Sequence, residues 1–343
     1  KAKTGSINKT FWARNIIIAL SLVFTTLLFV LFRRQINDYI GLNVTFLILI
    51  WLYVSVAEDY LNQYFLAVKK QLMSSILSVT AKLIYLLLVS IFTFDVKTLI
   101  VINIISHATV LLYIIGINKK DVSKFEFDKD WFKEVLNFSL WQLFGFSGLY
   151  LINYGDTAVI KHFMTIEDVG IYNAAYKLFS AIANFAFVIS SYYAGSVSHY
   201  FEKNESNKIK SFYYKERFLI FGLSTAAHLI VMIFSRFIIT ALYGDRYTQS
   251  VVIFNILMIG SIFRYLAVFY TLYYNVNKKH KVLQYINIFR AVLNLLLDII
   301  FIQWFGLIGP AIATVVSLLL TLMYSMFYCE KRIKKLLTAE GES

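Results

Sequence analysis

The chain has 343 residues, 59 % of them hydrophobic, with a mean hydropathy of +0.66 and a formal charge of +13. A single cysteine, Cys329, excludes a disulfide framework and any multi-thiolate zinc or iron–sulfur site, since both need several thiols. Hydrophobicity this continuous leaves no room for two water-soluble cores, and no basic block is joined to a soluble fold, so membrane topology accounts for the charge better than nucleic acid does.

Ten apolar stretches follow one another, at 15–32, 41–58, 74–93, 98–116, 134–155, 169–194, 218–240, 250–274, 282–303 and 308–329. A hydrocarbon layer about 30 Å thick takes about 20 apolar residues per helix. An open sheet cannot satisfy its edges in lipid, and barrel strands alternate apolar with polar residues. The fold class is therefore predicted to be all-α, a polytopic membrane protein of about ten transmembrane helices. Trp12, Trp51, Trp131 and Trp141 fall near the ends of these stretches, as interfacial aromatics do.

The basic residues report orientation. Of the 33 Lys and Arg, 23 lie in the N-terminal segment, the C-terminal tail and the alternate loops between them. The opposite loops hold six: Arg33, Arg34, Lys97, Lys161, Arg236 and Arg246. Both termini are predicted to be cytoplasmic. The sequence opens at Lys1 with neither Met nor a signal sequence, and the expectation is that it begins inside a longer protein. The loops carry no Gly-rich phosphate cradle, no His/Glu metal motif and no Cys/His pair, so no catalytic residue, metal or cofactor is expected.

The chemistry is instead expected within the spans. An ionisable side chain at the bilayer centre costs at least about 2.5–3.5 kcal/mol and is kept where it faces a cavity or a partner. In the ninth span Asn287, Arg290, Asn294 and Asp298 are spaced by three, four and four residues, which confines them to a sector of about 80° on a helix. The sixth repeats the pattern with Asn173, Tyr176, Lys177, Ser180 and Asn184, and the fifth with Gln142, Gly145, Asn153 and Asp156. Three polar stripes predict a shared hydrated, substrate-binding cavity lined by Gln142, Asp156, Asn173, Lys177, Arg290, Asn294 and Asp298, together with the in-span cations Lys82 and Arg264. The alternative is interhelical hydrogen bonding, with Lys177 or Asp156 reaching water from a span end. His107 and His228, deep in spans, are either neutral hydrogen-bonding residues or proton carriers.

Three segments carry a family resemblance. From Gly155 the chain reads GDTAVIKHFMTIEDVGIYNAAYKL; ITALYGDRYTQS follows at 239–250 and FGLIGPAIATVVS at 305–317. In this order and spacing they resemble bacterial polysaccharide flippases of the Wzx type, in the multidrug/oligosaccharidyl-lipid/polysaccharide exporter superfamily. Phe305 and Pro310 stand where that family more often has Tyr and Ala, and Asp298 where a neutral amide is commoner.

The resemblance implies two lobes around a central cavity: four helices of an incomplete N-terminal lobe over 1–133, and six helices with a cytoplasmic tail over 134–343, the first two helices of the family being absent. It implies transport of an undecaprenyl-pyrophosphate-linked oligosaccharide across the bacterial cytoplasmic membrane, with possible proton or sodium coupling. Competing readings are a lipid II-type flippase, a multidrug antiporter and, from another class, a membrane glycosyltransferase or polysaccharide polymerase. An excess of in-span cations suits an anionic cargo, because Arg and Lys donate charge-assisted hydrogen bonds to phosphate.

Overall fold

A computed structural model of the chain describes residues 7–67, 71–92, 95–117 and 126–339. The chain divides into two compact units, Lys1–Ser139 and Leu140–Ser343. Unit 1 holds helices α1 (Ile7–Leu31), α2 (Arg33–Ile40), α3 (Thr45–Ala67), α4 (Gln71–Ile91), α5 (Val96–Ile117) and the start of α6 (Lys129–Phe163). Unit 2 continues with α7 (Ile166–Glu202), α8 (Ser206–Ser211), α9 (Arg217–Ile233), α10 (Ser235–Tyr243), α11 (Ser250–Val276), α12 (His280–Phe305) and α13 (Gly309–Ala339). Nine of the ten predicted spans each fall on one long helix, the span at 218–240 is divided between two, and the described residues contain no strand. Among the described residues seven segments are long and apolar enough to cross a membrane, the last of them, Lys281–Leu337, running through α12 and α13.

In unit 1, α3, α4 and α5 pack mutually and α1 lies against α3. The short α2 was not foreseen, because its polar sequence RRQINDYI reads as a loop. Its end is organised by Asn37. The Asn37 carbonyl accepts the amide of Gly41 at 2.8 Å, where φ of +76° suits glycine, and the Asn37 side-chain oxygen accepts the Val44 and Thr45 amides and the Thr45 hydroxyl. One asparagine therefore closes α2 and satisfies amides at the start of α3. At the start of α6, Asp128 accepts the Asp130 and Trp131 amides and the Lys9 ammonium, the last at 2.8 Å. The hydrogen bond from Lys9 and that helix-end amide hold the Asp128 carboxyl below the usual carboxylate range.

Unit 2 is built on the contact between α7 and α11, the most extensive in the chain. Small buried residues, Ala175 and Ala183, line the α7 side of this contact, whereas on α11 the buried Gly260 lets Val315 and Leu318 of α13 approach and Ser261 meets His228 of α9. The buried hydrophobic side chains form two groups along these helices. One centres on Ile171, Tyr172, Phe179, Phe254 and Leu257. The other is aromatic, with Phe212, Tyr213, Phe269, Tyr270, Tyr273 and Tyr274 around Cys329.

Two features depart from the simple ten-span expectation. The span predicted as 218–240 breaks at Phe234, which separates α9 from α10. Before α9, a π-helical turn over Phe212–Glu216 delivers Arg217 into the interior. Its Nη1 donates at 2.7 Å to both Tyr270 Oη and Glu330 Oε1, and the Tyr214 hydroxyl donates to the other carboxylate oxygen at 2.9 Å. Arg217 stands among the loop bases by sequence, yet it is 4 % exposed and ties α9, α11 and α13 together.

The turn between α12 and α13 is the tightest backbone approach. A Cβ at Gly309 would land on the Phe301 carbonyl, whereas one at Gly170 would meet nothing within 4 Å. Gly309→Ala is expected to cost about 1–3 kcal/mol through backbone displacement and to lower the apparent melting temperature in detergent, with Gly170→Ala as the neutral control. Equal melting of the two variants would contradict this account of the turn.

Candidate functional site

The α7 stripe read from the sequence lies on one cavity. Asn173, Tyr176, Lys177, Ser180 and Asn184 all line a space of about 530 Å³, joined by Ile152, Tyr154 and Thr157 of α6, Arg264 of α11 and Arg290 of α12. The opposite face of α7 supplies Ile171, Tyr172, Ala175, Phe179 and Ala183 to the core. Helical periodicity thus puts every polar residue of the stripe on the wet side. Among the described residues the lining holds three cations, Lys177, Arg264 and Arg290, and no carboxylate. Arg264 Nη2 donates to Asn184 Oδ1 at 3.3 Å, and Thr157 Oγ1 donates to Asn173 Oδ1 at 3.0 Å. Arg290 Nε is buried with no hydrogen-bond partner among the described atoms, a guanidinium edge without an acceptor.

The α12 stripe is split. Arg290 reaches the cavity, but Asn294 and Asp298 are 3 % and 0 % exposed and belong to a dry cluster with Asp156, itself 1 % exposed. Asp156 Oδ1 accepts from Asn294 Nδ2 at 2.8 Å and Asp156 Oδ2 from Thr314 Oγ1 at 3.0 Å. The Tyr172 hydroxyl also donates to Oδ2. The same Asn294 amide donates to Asp298 Oδ2 at 3.1 Å, and Asn294 Oδ1 accepts from Ser317 Oγ at 2.9 Å. Asp298 Oδ1 is buried without a partner among the described atoms. Two carboxyl groups therefore converge on one amide, away from water. A small void lined by Arg264, Arg290, Asn294, Thr314 and Ser317 separates this cluster from the cationic lining.

The remaining predicted residues are placed as follows. Lys82 is exposed on α4 of unit 1. The side chains of Gln142 and Asn153, and the surroundings of Gly145, the other three members of the α6 stripe besides Asp156, lie outside what is described. His228 takes the hydrogen-bonding alternative: its Nδ1–H donates to the Ser224 carbonyl at 2.7 Å while Nε2 accepts the Ser261 hydroxyl at 2.8 Å. Tyr172, Thr314 and Ser317 were missed. The signal for the last two was present, since Thr314, Ser317, Thr321 and Ser325 recur every three or four residues on α13 and all are buried. Among the described residues no group of three or more His, Cys, Asp or Glu is placed to hold a metal ion.

A profile described as polysaccharide biosynthesis protein matches residues 1–194, more than half of the chain. The chain belongs to that polysaccharide biosynthesis protein family. This family member is 25 % identical over 185 residues to the probable low-salt glycan biosynthesis flippase Agl15 of Haloferax volcanii, covering 54 % of this chain and 39 % of that protein. It is 24 % identical over 266 residues to the uncharacterized membrane protein MJ1068 of Methanocaldococcus jannaschii, covering 72 % and 51 %. The chain spans about half the length, or less, of these curated relatives.

Among solved structures, the family member is similar to a multidrug resistance MATE family transporter of the MOP superfamily in its inward-facing conformation. That match has a TM-score of 0.72 at 14 % identity and covers 93 % of this chain and 80 % of that one. A MOP superfamily transporter from Pyrococcus furiosus gives a TM-score of 0.61 at 15 % identity, covering 93 % and 77 %. These likenesses establish a MATE-like, polytopic helical fold.

The dry cluster makes a stability prediction. Asn294→Leu removes the amide that both carboxyls share, and is expected to destabilise the polysaccharide biosynthesis protein by about 1–3 kcal/mol through unsatisfied buried acceptors. Thr314→Val, which removes one donor to Asp156, is a smaller perturbation, whereas Asn294→Asp sets a third carboxyl beside the other two and is expected to cost at least as much as Asn294→Leu. Thermal unfolding in detergent would rank the three, and an unchanged Asn294→Leu variant would contradict the assigned contacts.

Proposed function

We propose that this chain carries a lipid-linked oligosaccharide across the cytoplasmic membrane, the carrier being a polyprenyl pyrophosphate and, as the family resemblance implies, undecaprenyl pyrophosphate. The observation that supports this reading is the cavity of unit 2, in which Lys177, Arg264 and Arg290 stand without a carboxylate among amide and hydroxyl groups. An anionic head group would supply the acceptors that the Arg290 edge lacks. Asn173, Ser180, Asn184 and the tyrosines would serve sugar hydroxyls, and the lipid tail would stay in the bilayer. Membership of a polysaccharide biosynthesis family accords with a glycan cargo.

Movement would follow alternating access, the two lobes expected from 1–133 and 134–343 rocking about a cavity that opens first to the cytoplasm and then to the outside. Asp156 and Asp298 are the groups we assign to ion coupling. Two buried carboxyls on one amide need a counter-charge, which a proton or a sodium ion would provide. Lys82 belongs to unit 1, and its part in cargo binding is open to the same assay as the cavity residues. Both termini are placed in the cytoplasm on the basis of the loop charges.

The fold likeness also favours a second reading, a multidrug antiporter. Cationic drugs would call for an acidic cavity, and the lining here is basic, so the glycolipid reading is preferred. A glycolipid flipping assay in vesicles separates them. Arg290→Ala and Lys177→Ala are each expected to slow flipping about tenfold or more, from losing about 1.5–3 kcal/mol of charge-assisted hydrogen bonding. Normal flipping by both variants, or transport of organic cations by the wild type, would overturn the assignment.

A further inference from the structure

Unit 1 holds a buried acid–base pair that the cargo reading does not use. Glu58 lies thirteen residues beyond Thr45 in α3, and His107 eleven residues beyond Val96 in α5. The two helices pack against each other, and His107 Nδ1 is in direct hydrogen-bond contact with Glu58 Oε2. The Glu58 side chain is 7 % exposed and that of His107 25 %. One turn before His107, on the same face of α5, the Asn103 side-chain oxygen is buried with no partner among the described atoms. The site is thus polar, enclosed and short of donors.

The other charged groups on the elements packed around the pair are engaged elsewhere or turned outward. Arg14 of α1 lies over the Tyr60 ring and Lys9 binds Asp128. On α2, Arg33 lies over Phe46 and Arg34 sits 4.0 Å from Asp38. Asp59 on α3, Lys82 on α4 and Lys97 on α5 are exposed. Glu58 and His107 are left as each other's charge partner. A carboxylate oxygen and a ring nitrogen in hydrogen-bond contact must hold at least one proton between them. With one proton the pair carries a net charge of −1, and with two it is neutral. Histidine is the side chain suited to such an exchange near neutral pH, and a unit change of charge inside an apolar bundle is electrostatically large.

We propose that Glu58 and His107 form a proton-binding site within unit 1. A hydronium ion gives one proton to the pair and leaves as water, the pair passes from net charge −1 to 0, and the packing of α3 on α5 responds. The site is separate from the carboxyl cluster of unit 2 and does not rest on the identity of the cargo.

Hydrogen–deuterium exchange of the full chain in lipid nanodiscs, at about pH 5.5 and about pH 8 with correction for intrinsic exchange, tests this. In the wild type, uptake around residues 55–62 and 103–110 is expected to differ at least about twofold between the two conditions. That difference disappears in the double variant Glu58→Gln/His107→Asn, which keeps neither group, while peptides of α11 and α12 behave as in the wild type. Identical wild-type uptake at both pH values would overturn the proposal, with no variant needed. So would a difference that survives in the double variant when it elutes as a folded monodisperse species. Vesicles showing no glycolipid flipping at any pH would count against the cargo reading and leave the exchange result standing.

Discussion

A single side-chain amide, Asn294 Nδ2, is hydrogen-bonded to two carboxyl groups from different helices, and both are almost completely removed from water. A buried carboxylate left without donors is far more costly than one that is hydrogen-bonded, so the positions of Asp156 and Asp298 are set by where donors can be supplied. Those donors come from Tyr172 on α7, Asn294 on α12 and Thr314 on α13, with Ser317 holding the Asn294 carbonyl. Meeting that requirement fixes how four helices of unit 2 lie against one another. It also places Arg290, one turn from Asn294 on α12, at the edge of the cavity.

The resulting charge distribution is segregated. Cations line a space large enough to hold a ligand, and carboxyls sit behind it in a dry polar cluster, with only a small void between them. In an apolar bundle neither set can be neutralised cheaply by solvent, so each must find its counter-charge in something that binds. An anionic cargo on one side and a small cation or proton on the other would satisfy both, which is the physical basis of the coupled transport proposed above. The MATE-like likeness concerns the fold alone, so the proposed sign of the cargo rests on the polarity of the lining.

Elsewhere the same rule explains residues that topology alone would misread. Arg217 counts as a loop base in any tally of positive charge, but a π-helical turn carries it inward to Glu330 and two tyrosines, where it joins three helices. Glu58 falls at the edge of a predicted span, a position that ordinarily reads as interfacial. Its burial became evident only from the imidazole across the helix contact. Sequence periodicity reports which face of a helix a residue occupies; it carries no information about which other helix that face meets.

That division runs through the whole chain. Hydrophobic length and helical spacing determined the ten long helices and the common orientation of Asn173, Tyr176, Lys177, Ser180 and Asn184, because both follow from local geometry and from the impossibility of leaving backbone groups unsatisfied in lipid. The tertiary structure alone decided that the α12 stripe would divide, with Arg290 on the cavity and Asn294 and Asp298 sealed away. The four residues share a helix face, but whether a given turn of that face meets a cavity or a neighbouring helix depends on the donors that Tyr172, Thr314 and Ser317 bring to their acceptors from 16 to 158 residues away in the chain. Contacts of that range are set by packing, and no local pattern encodes them.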